Sequence, residues 1–238
     1  MRYLVCNLKN KMNKEEVLDY SKKIEEIKAS NLVIIPSMPF IDYFQNSKCL
    51  VGSQDISSFM DETITGEITG KQLESIGASF VLVGHSERRK YKNEINIDFI
   101  NKINHAQEYN FKIIYCIGET SEERERNETY NVLEKQISEV LNNVLLKDII
   151  IAYEPVWAIG TGKVASTKEI TEVVEYIKDI IDEKYECSIK VLYGGSVTPA
   201  NISELNNIEN IDGFLVGGAS LVTDNVQKML EIIEEKNA

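Results

Sequence analysis

Short apolar runs recur along the chain, each stopped by Pro, Gly or a polar cluster. They cover residues 3–6, 32–35, 50–53, 80–83, 111–117, 149–153, 189–193 and 213–216. The runs are continuous rather than alternating, which is the pattern of strands covered on both faces, as in a parallel sheet. Between them, apolar residues step by three and four: Val17, Tyr20, Ile24 and Ile27, then Leu133, Ile137, Val140 and Val144, and later Ile170, Val173, Ile177 and Ile180. Val226, Met229 and Ile233 mark a last such face. That spacing predicts amphipathic helices. Asn13 with Glu16 three residues on predicts a capping box for the first helix, and Ser166 or Thr167 caps the helix that follows residue 153. Pro36 and Pro39 leave room only for a short helix before Leu50, and a polar loop runs from Gln54 to Gly66.

Eight strands alternating with helical segments predict a closed (β/α)8 TIM barrel, a single domain over residues 1–238. The alternative, an open doubly wound sheet, usually carries GxGxxG or GxxxxGK[ST] after its first strand, and here Asn7-Leu8-Lys9 stands at that place. A barrel builds its active site at the C-terminal ends of its strands. The polar residues at those ends are Asn7 and Lys9, His85 and Glu87, Glu119, and Glu154. Glu154 stops the run 149–153, and Pro155 restricts it to extended geometry. Trp157, the one Trp of the chain, and then Gly160-Thr161-Gly162 follow. A carboxylate on a rigid strand end, followed by a stiff and then a flexible loop, is the layout of a catalytic base with a lid. His85 directly follows a strand and a glycine, whereas His105 lies inside a helical segment and reads as a core residue. Gly194-Gly195-Ser196 and Gly217-Gly218 close the last two strands, where these barrels usually hold a phosphate. Glycine lets backbone N–H groups approach an anion closely.

Composition narrows the partners. With 26 Lys and Arg against 38 Asp and Glu, the chain carries −12, which argues against nucleic acid or an anionic membrane as partner. An anionic substrate then needs a local cradle. The four cysteines lie far apart with no CxxC, so they read as free buried thiols and not as a metal site. The chain has no apolar run of about 18 residues and no signal-peptide pattern, which points to the cytoplasm. Nothing suggests a metal, a cofactor or an activated Ser or Cys nucleophile. One carboxylate, one imidazole, one lysine and a backbone phosphate cradle suit proton abstraction beside the carbonyl of a small phosphorylated substrate. An aldolase would instead need a Schiff-base lysine; Lys112 and Lys190 lie in strands but are expected to point outward. A barrel kept only for binding would be expected to lack Glu154, His85 or Lys9, and all three are present.

Five stretches, each at a strand end, then carry a resemblance: Ala152-Tyr-Glu-Pro-Val-Trp-Ala-Ile-Gly-Thr-Gly162, Val83-Gly-His-Ser-Glu-Arg-Arg89, Cys116-Ile-Gly-Glu-Thr120, Tyr193-Gly-Gly-Ser-Val197 and Leu215-Val-Gly-Gly-Ala-Ser-Leu221. Along essentially its whole length the chain resembles the triosephosphate isomerase family. The resemblance implies interconversion of dihydroxyacetone phosphate and D-glyceraldehyde 3-phosphate through an enediol(ate), in glycolysis and gluconeogenesis. It implies that Glu154 is the base, that His85 polarises the carbonyl as a neutral imidazole, and that Lys9, helped by Asn7, offsets negative charge. Gly160, Ser196, Gly217 and Gly218 would hold the phosphate, and Glu87 would sit close to Lys9. Residues 155–165 would be the lid. Thr65, Gly66 and Glu67, in the loop 59–67, would insert beside a partner's site in a homodimer.

Three departures stand out. Asn7-Leu8-Lys9-Asn10-Lys11 replaces the family's Asn-Trp-Lys-Met-Asn, the stretch between the second and third strands is short, and Lys92-Asn93 replaces Phe-Gly, with Glu94 left to pair with Arg88. The first departure offers two lysines. The ungapped register selects Lys9, leaves Asn13 free to cap the helix, and puts Lys11 in a solvated loop.

Overall fold

The computed structural model describes residues 1–159 and 164–235. Eight parallel strands close into a barrel in sequence order. They are β1 (Tyr3–Asn7), β2 (Leu32–Ile35), β3 (Leu50–Ser53), β4 (Phe80–Val83), β5 (Lys112–Ile117), β6 (Ile149–Tyr153), β7 (Lys190–Tyr193) and β8 (Gly213–Val216). Each predicted run is a strand, and the ends that differ do so by one residue. The ring is sealed where β8 pairs with β1, Tyr3 opposite Gly213. Gly213 has φ +149°, and a Cβ there would lie 2.3 Å from the Tyr3 carbonyl oxygen, so only glycine fits this seam.

Alternate strand residues point to opposite faces, and both faces are covered. Val5, Val33, Leu82, Ile114, Ala152 and Leu215 fill the barrel interior. The opposite parity, with Leu4, Cys6, Ile34, Val81, Ile113 and Ile151 among it, packs under the helices in a larger outer core. Each fully buried side chain of this kind contributes roughly 1.5–3 kcal/mol. This two-sided burial is why the runs show no alternation.

The helices are α1 (Lys14–Glu25), α2 (Gly70–Ser75), α3 (Ser86–Lys92), α4 (Asn96–Glu108), α5 (Ser121–Glu125), α6 (Thr129–Leu141), α7 (Thr167–Tyr185), α8 (Ile202–Leu205) and α9 (Thr223–Glu235). Asn13 and Glu16 form the capping box of α1, and Ser166 and Glu169 form that of α7. Between β2 and β3 the chain makes only a 3-10 stretch, Met38–Phe44, with Pro39 in its first turn. Leu8 is buried and its N–H donates to the Ile35 carbonyl, so the departure there is absorbed in the outer core.

One expectation is corrected. Lys112 and Lys190 do not point outward from the barrel wall. They share the parity of Ile114 and Leu192, which fill the interior, and stand exposed at its N-terminal mouth. There the Lys190 ammonium lies 4.9 Å from the Tyr3 ring centre, and the Lys112 ammonium 5.8 Å from that of Phe80. At the first position of a strand an inward lysine still reaches water, so parity does not bury it. Cys6, Cys49 and Cys116 are buried free thiols, while Cys187 is half-buried.

Candidate active site

The C-terminal mouth gathers side chains that are far apart in sequence. Asn7 closes β1, and Glu154 follows β6 on the inward parity of Ala152. Two glycines let the Glu154 backbone and stem pass. A Cβ at Gly118 would sit 1.7 Å from the Glu154 carbonyl oxygen, and one at Gly194 would sit 2.9 Å from Glu154 Cγ. The carboxylate is 3% exposed. Its Oε2 accepts the Ser86 backbone N–H at 3.1 Å, and its Oε1 lies 3.2 Å from His85 Nε2. Cys116 lies beside it. Burial, and then the Glu154 charge, push that thiol well above its ordinary value, so it packs as a neutral group and not as a nucleophile.

His85 is presented by Gly84, whose φ of +73° turns the chain out of β4. The imidazole caps α3, with Nδ1 accepting the Glu87 backbone N–H at 3.2 Å. A ring nitrogen that accepts an N–H carries no proton, so the proton sits on Nε2, the nitrogen 3.2 Å from Glu154. In this arrangement the ring is neutral.

Lys9 takes the left-handed region, φ +50°, which costs a side-chain-bearing residue roughly 1–2 kcal/mol. Two hydrogen bonds hold it there. Asn7 Oδ1 accepts the Lys9 N–H at 3.0 Å, and Gln54 Nε2 donates to the Lys9 carbonyl at 2.8 Å. The Lys9 ammonium is 2.6 Å from Glu87 Oε1. Burial pushes Glu87 up, but Lys9 first, then His85 and Lys11, outweigh it and hold the carboxyl below its ordinary value.

These groups open on a cavity of about 240 Å³, lined also by Ser196, Gly217 and Gly218. Among the described residues the backbone N–H groups of Ser196, Gly217 and Gly218 enter no hydrogen bond. A second cavity of about 650 Å³ shares Asn7, Lys9 and His85 with the first and extends past Glu87 to Gly66, Glu67, Arg88, Tyr91 and Lys92.

Residues 156–158, which follow Glu154, are anchored on both sides of this mouth. Trp157 Nε1 donates to Glu119 at 2.8 Å, the Val156 N–H donates to the Glu119 carbonyl at 3.1 Å, and Ser196 Oγ donates to the Ala158 carbonyl at 2.9 Å. Glu119 is fully buried, and burial raises its pKa against the opposing pull of Trp157, Tyr153 and Arg124. Arg124 lies 4.2 Å over the Trp157 ring. On the far side, burial pushes the Tyr193 phenol up to about 12, with the backbone of Ala165 opposing. A Cβ at Gly195 would stand 2.1 Å from that phenol oxygen.

Asn7, Lys9, His85, Glu154, Ser196, Gly217 and Gly218 therefore share one cavity. Glu87, Gly66 and Glu67 line its neighbour, and Thr65 lies exposed at the loop tip. Lys11 is exposed and lines neither cavity. Gly160 and the lid segment 160–163 lie outside the described residues. Sequence reasoning missed Ser86, Gln54, Cys116 and Gly118 as parts of the site. Cys116 shares the inward parity of Ile114 on β5, a signal that was available; the Ser86 N–H and the Gln54 amide act through geometry that no residue type announces. Among the described residues, no group of three or more His, Cys, Asp or Glu side chains could hold a metal ion.

A closed parallel barrel whose C-terminal mouth sets a buried carboxylate 3.2 Å from an imidazole has the groups that moving a proton needs. Comparison with known proteins narrows that chemistry. The family model described as Triosephosphate isomerase matches residues 2–236. Curated relatives named triosephosphate isomerase include one from Alkaliphilus metalliredigens, 40% identical over 90% of this chain and 93% of the relative. Another, from Alkaliphilus oremlandii, is 41% identical over 89% and 92%, and one from Mycoplasmoides gallisepticum is 37% identical over 99% and 98%. The chain belongs to the triosephosphate isomerase family.

Proposed function

We propose that Glu154, His85, Lys9 and Asn7 carry out the family's reaction in the 240 Å³ cavity. As a member of the family, the enzyme is an intramolecular aldose–ketose isomerase that interconverts dihydroxyacetone phosphate and D-glyceraldehyde 3-phosphate, a step of glycolysis and gluconeogenesis. The observation that carries the assignment of roles is the His85 ring. Its Nδ1 accepts the Glu87 N–H, so Nε2 holds the proton that faces Glu154. This family is itself the standard illustration of a glutamate base paired with a neutral histidine.

The substrate carbonyl oxygen takes the Nε2–H, and the carboxylate, 3.2 Å from that nitrogen, removes the proton from the adjacent carbon. The electron pair moves onto the oxygen, and His85 stabilises and protonates it. His85 then takes the proton of the hydroxyl on the carbon that Glu154 deprotonated, Glu154 returns its proton to the former carbonyl carbon, and the new carbonyl closes at the other carbon, which leaves both residues as they began. Lys9 offsets the charge of the enediolate, with Asn7 fixing the backbone that presents it. The unengaged N–H groups of Ser196, Gly217 and Gly218 suit the phosphate, with Gly160 completing the set once the lid closes. Closure keeps water from an intermediate that can otherwise eliminate phosphate.

The same reading makes the protein one barrel domain that works as a cytoplasmic homodimer. No described helix is long and apolar enough to cross a membrane, and the net −12 leaves nucleic acid and anionic membranes an unsuitable surface. Support for the dimer comes from loop 59–67, where Phe59 is 52% and Met60 58% exposed and which holds Asp61, Glu62 and Glu67 and no Lys or Arg of its own, Glu62 being paired with Lys71 beyond it. Facing it, α3 offers Lys90 and Lys92, while Arg88 is engaged by Asp55 and Glu94 and Arg89 by the carbonyls of Gly84 and Cys116; Arg88 and Lys92 line the 650 Å³ cavity. In a two-fold dimer each acidic loop meets the other copy's basic α3, and Thr65 reaches the other copy's Asn7 and Lys9.

Glu154→Gln tests the base. The variant keeps the shape and loses the proton acceptor, so kcat falls roughly 100- to 10,000-fold with the fold retained. Turnover close to wild type, read in a coupled assay with glyceraldehyde 3-phosphate, rules the mechanism out.

A further inference from the structure

We infer that His105 is a positioning residue, and that its ring fixes the dimer loop by tying the two ends of that loop to α4. The inference rests on the homodimer reading above. His105 is 2% exposed and takes no part in the chemistry. Its Nε2 accepts the backbone N–H of Gly70 at 3.1 Å, and its Nδ1 lies 3.0 Å from the Ser57 carbonyl oxygen. Ser57 is where the chain enters the loop, and Gly70 is where it leaves into α2. The donor on Gly70 forces the tautomer: Nε2 carries the lone pair, so Nδ1 carries the proton and gives it to Ser57. One neutral ring therefore serves both ends, one by donating and one by accepting.

Other contacts fix the ends but not the tip: Asp55, two residues before Ser57, pairs with Lys102 of α4 and Arg88 of α3, and Ile68 packs against the outer core. The Ser57 N–H donates to the Ile68 carbonyl at 2.9 Å, which closes the stem. Nearer the tip the bonds are local, from Thr63 to Asp61 and from Lys71 to Glu62. These shape the tip but do not attach it to the barrel. The His105 site is also built tightly. Tyr109, the residue just past the end of α4, packs on the ring at 5.8 Å between centres. A Cβ at residue 70 would lie 2.1 Å from the Tyr109 ring, so glycine is what lets the 70 N–H reach the imidazole. Both ends are held by groups that are buried, and a buried group left unpaired costs free energy. If the ring is lost, the loop end opens before the barrel does, and the surface offered to the second copy loses its shape.

The test begins with the wild type at sedimentation equilibrium, followed by two variants. His105→Gln places an acceptor near the Nε2 position and gives up the bond to Ser57, while His105→Asn places a donor near the Nδ1 position and gives up the bond to Gly70. Each is expected to keep the far-UV spectrum, and to keep wild-type kcat at high protein concentration. Each raises the dimer dissociation constant by at least about fivefold, so that activity falls on dilution where the wild type holds. Folded variants that dissociate like the wild type overturn the inference. A wild type that is a fully active monomer overturns the dimer reading beneath it, and that result appears before any variant is made. If the variants fail to fold, the ¹⁵N spectrum of the wild-type ring decides. A proton on Nδ1 together with a protected Gly70 amide supports the clamp, and a proton on Nε2 overturns it.

Discussion

The two mouths of this barrel are ends of the same eight strands, and each presents lysine. At the C-terminal mouth Lys9 sits in a left-handed backbone held by Asn7 and Gln54, with its ammonium on Glu87 and a cavity in front of it. At the N-terminal mouth Lys112 and Lys190 lie over the rings of Tyr3 and Phe80, and no ion pair among the described residues includes either. The residue type is the same, and so is the inward aim. What differs is the facing group: a carboxylate beside a small cavity at one end, an aromatic ring and open water at the other. A cation next to a desolvated anionic substrate acts at reduced dielectric, whereas one in water is screened. The contrast teaches that the environment at the strand end, rather than parity or residue type, decides whether a barrel lysine faces a cavity beside a carboxylate or lies over rings at an open rim.

The sharpest way to break the comparison is at Lys9. Lys9→Met is expected to cut kcat/KM by at least about 100-fold, or about 2.7 kcal/mol of transition-state stabilisation. Lys11→Met, in the exposed loop two residues on, should change it by less than about tenfold. Steady-state kinetics on the two variants ranks them, and the reverse order would place the working lysine in the other register.

A smaller effect is expected from acid. Glu87 titrates below the ordinary carboxylate value of about 4.3 because the Lys9 ammonium outweighs its burial. A depressed folded pKa contributes stability that is present above the unfolded value and is lost as pH falls through the folded one. The urea midpoints of wild type and Glu87→Gln should therefore differ at pH 6 and converge as pH drops below about 4. A gap that stays constant across that window would show that the Lys9–Glu87 pair adds nothing to folding. Glu87 is half exposed, so solvent screens the pair and keeps the effect modest.

The smallest change belongs to the other mouth. Replacing Lys112 and Lys190 together by Met should leave kcat/KM within about twofold and lower stability by about 0.5–1 kcal/mol for each lost ring contact. Thermal melts and kinetics on one preparation read both numbers. An activity loss greater than tenfold would mean that the two ends of the barrel are coupled.

Much of this was legible in the chain, for identifiable reasons. Two-sided burial leaves continuous apolar runs, so all eight strands could be found to within one residue at either end. Glu154, His85, Asn7 and Lys9 could be placed at one end because parallel strands carry their C-terminal residues to the same mouth. Local chemistry announced the cap at Asn13, since Asn and Glu three apart satisfy two helix N–H groups by themselves. What stayed hidden depends on approach through space. Gly118 looks like an ordinary turn glycine until Glu154 crosses it. The tautomer of His85 depends on a backbone N–H two residues on, and Gln54 reaches Lys9 across 45 positions. The lysines at the first positions of β5 and β7 misled for a related reason, because an inward residue at a rim is not enclosed.

The seam at Gly213 also governs when the molecule becomes an enzyme. Tyr3 meets Gly213 across nearly the whole length of the chain, so the first strand made must wait for the last. Chains emerge N-terminus first, and contacts between distant segments form slowly because closing a long loop costs entropy. Asn7 and Lys9 exist early in synthesis, while Gly217 and Gly218 arrive only after the seam residue itself. Catalysis is therefore a late event in the birth of each molecule, and its recovery during refolding times the closing of the ring. A side chain at 213 would delay or prevent that closing while leaving every catalytic group in the chain.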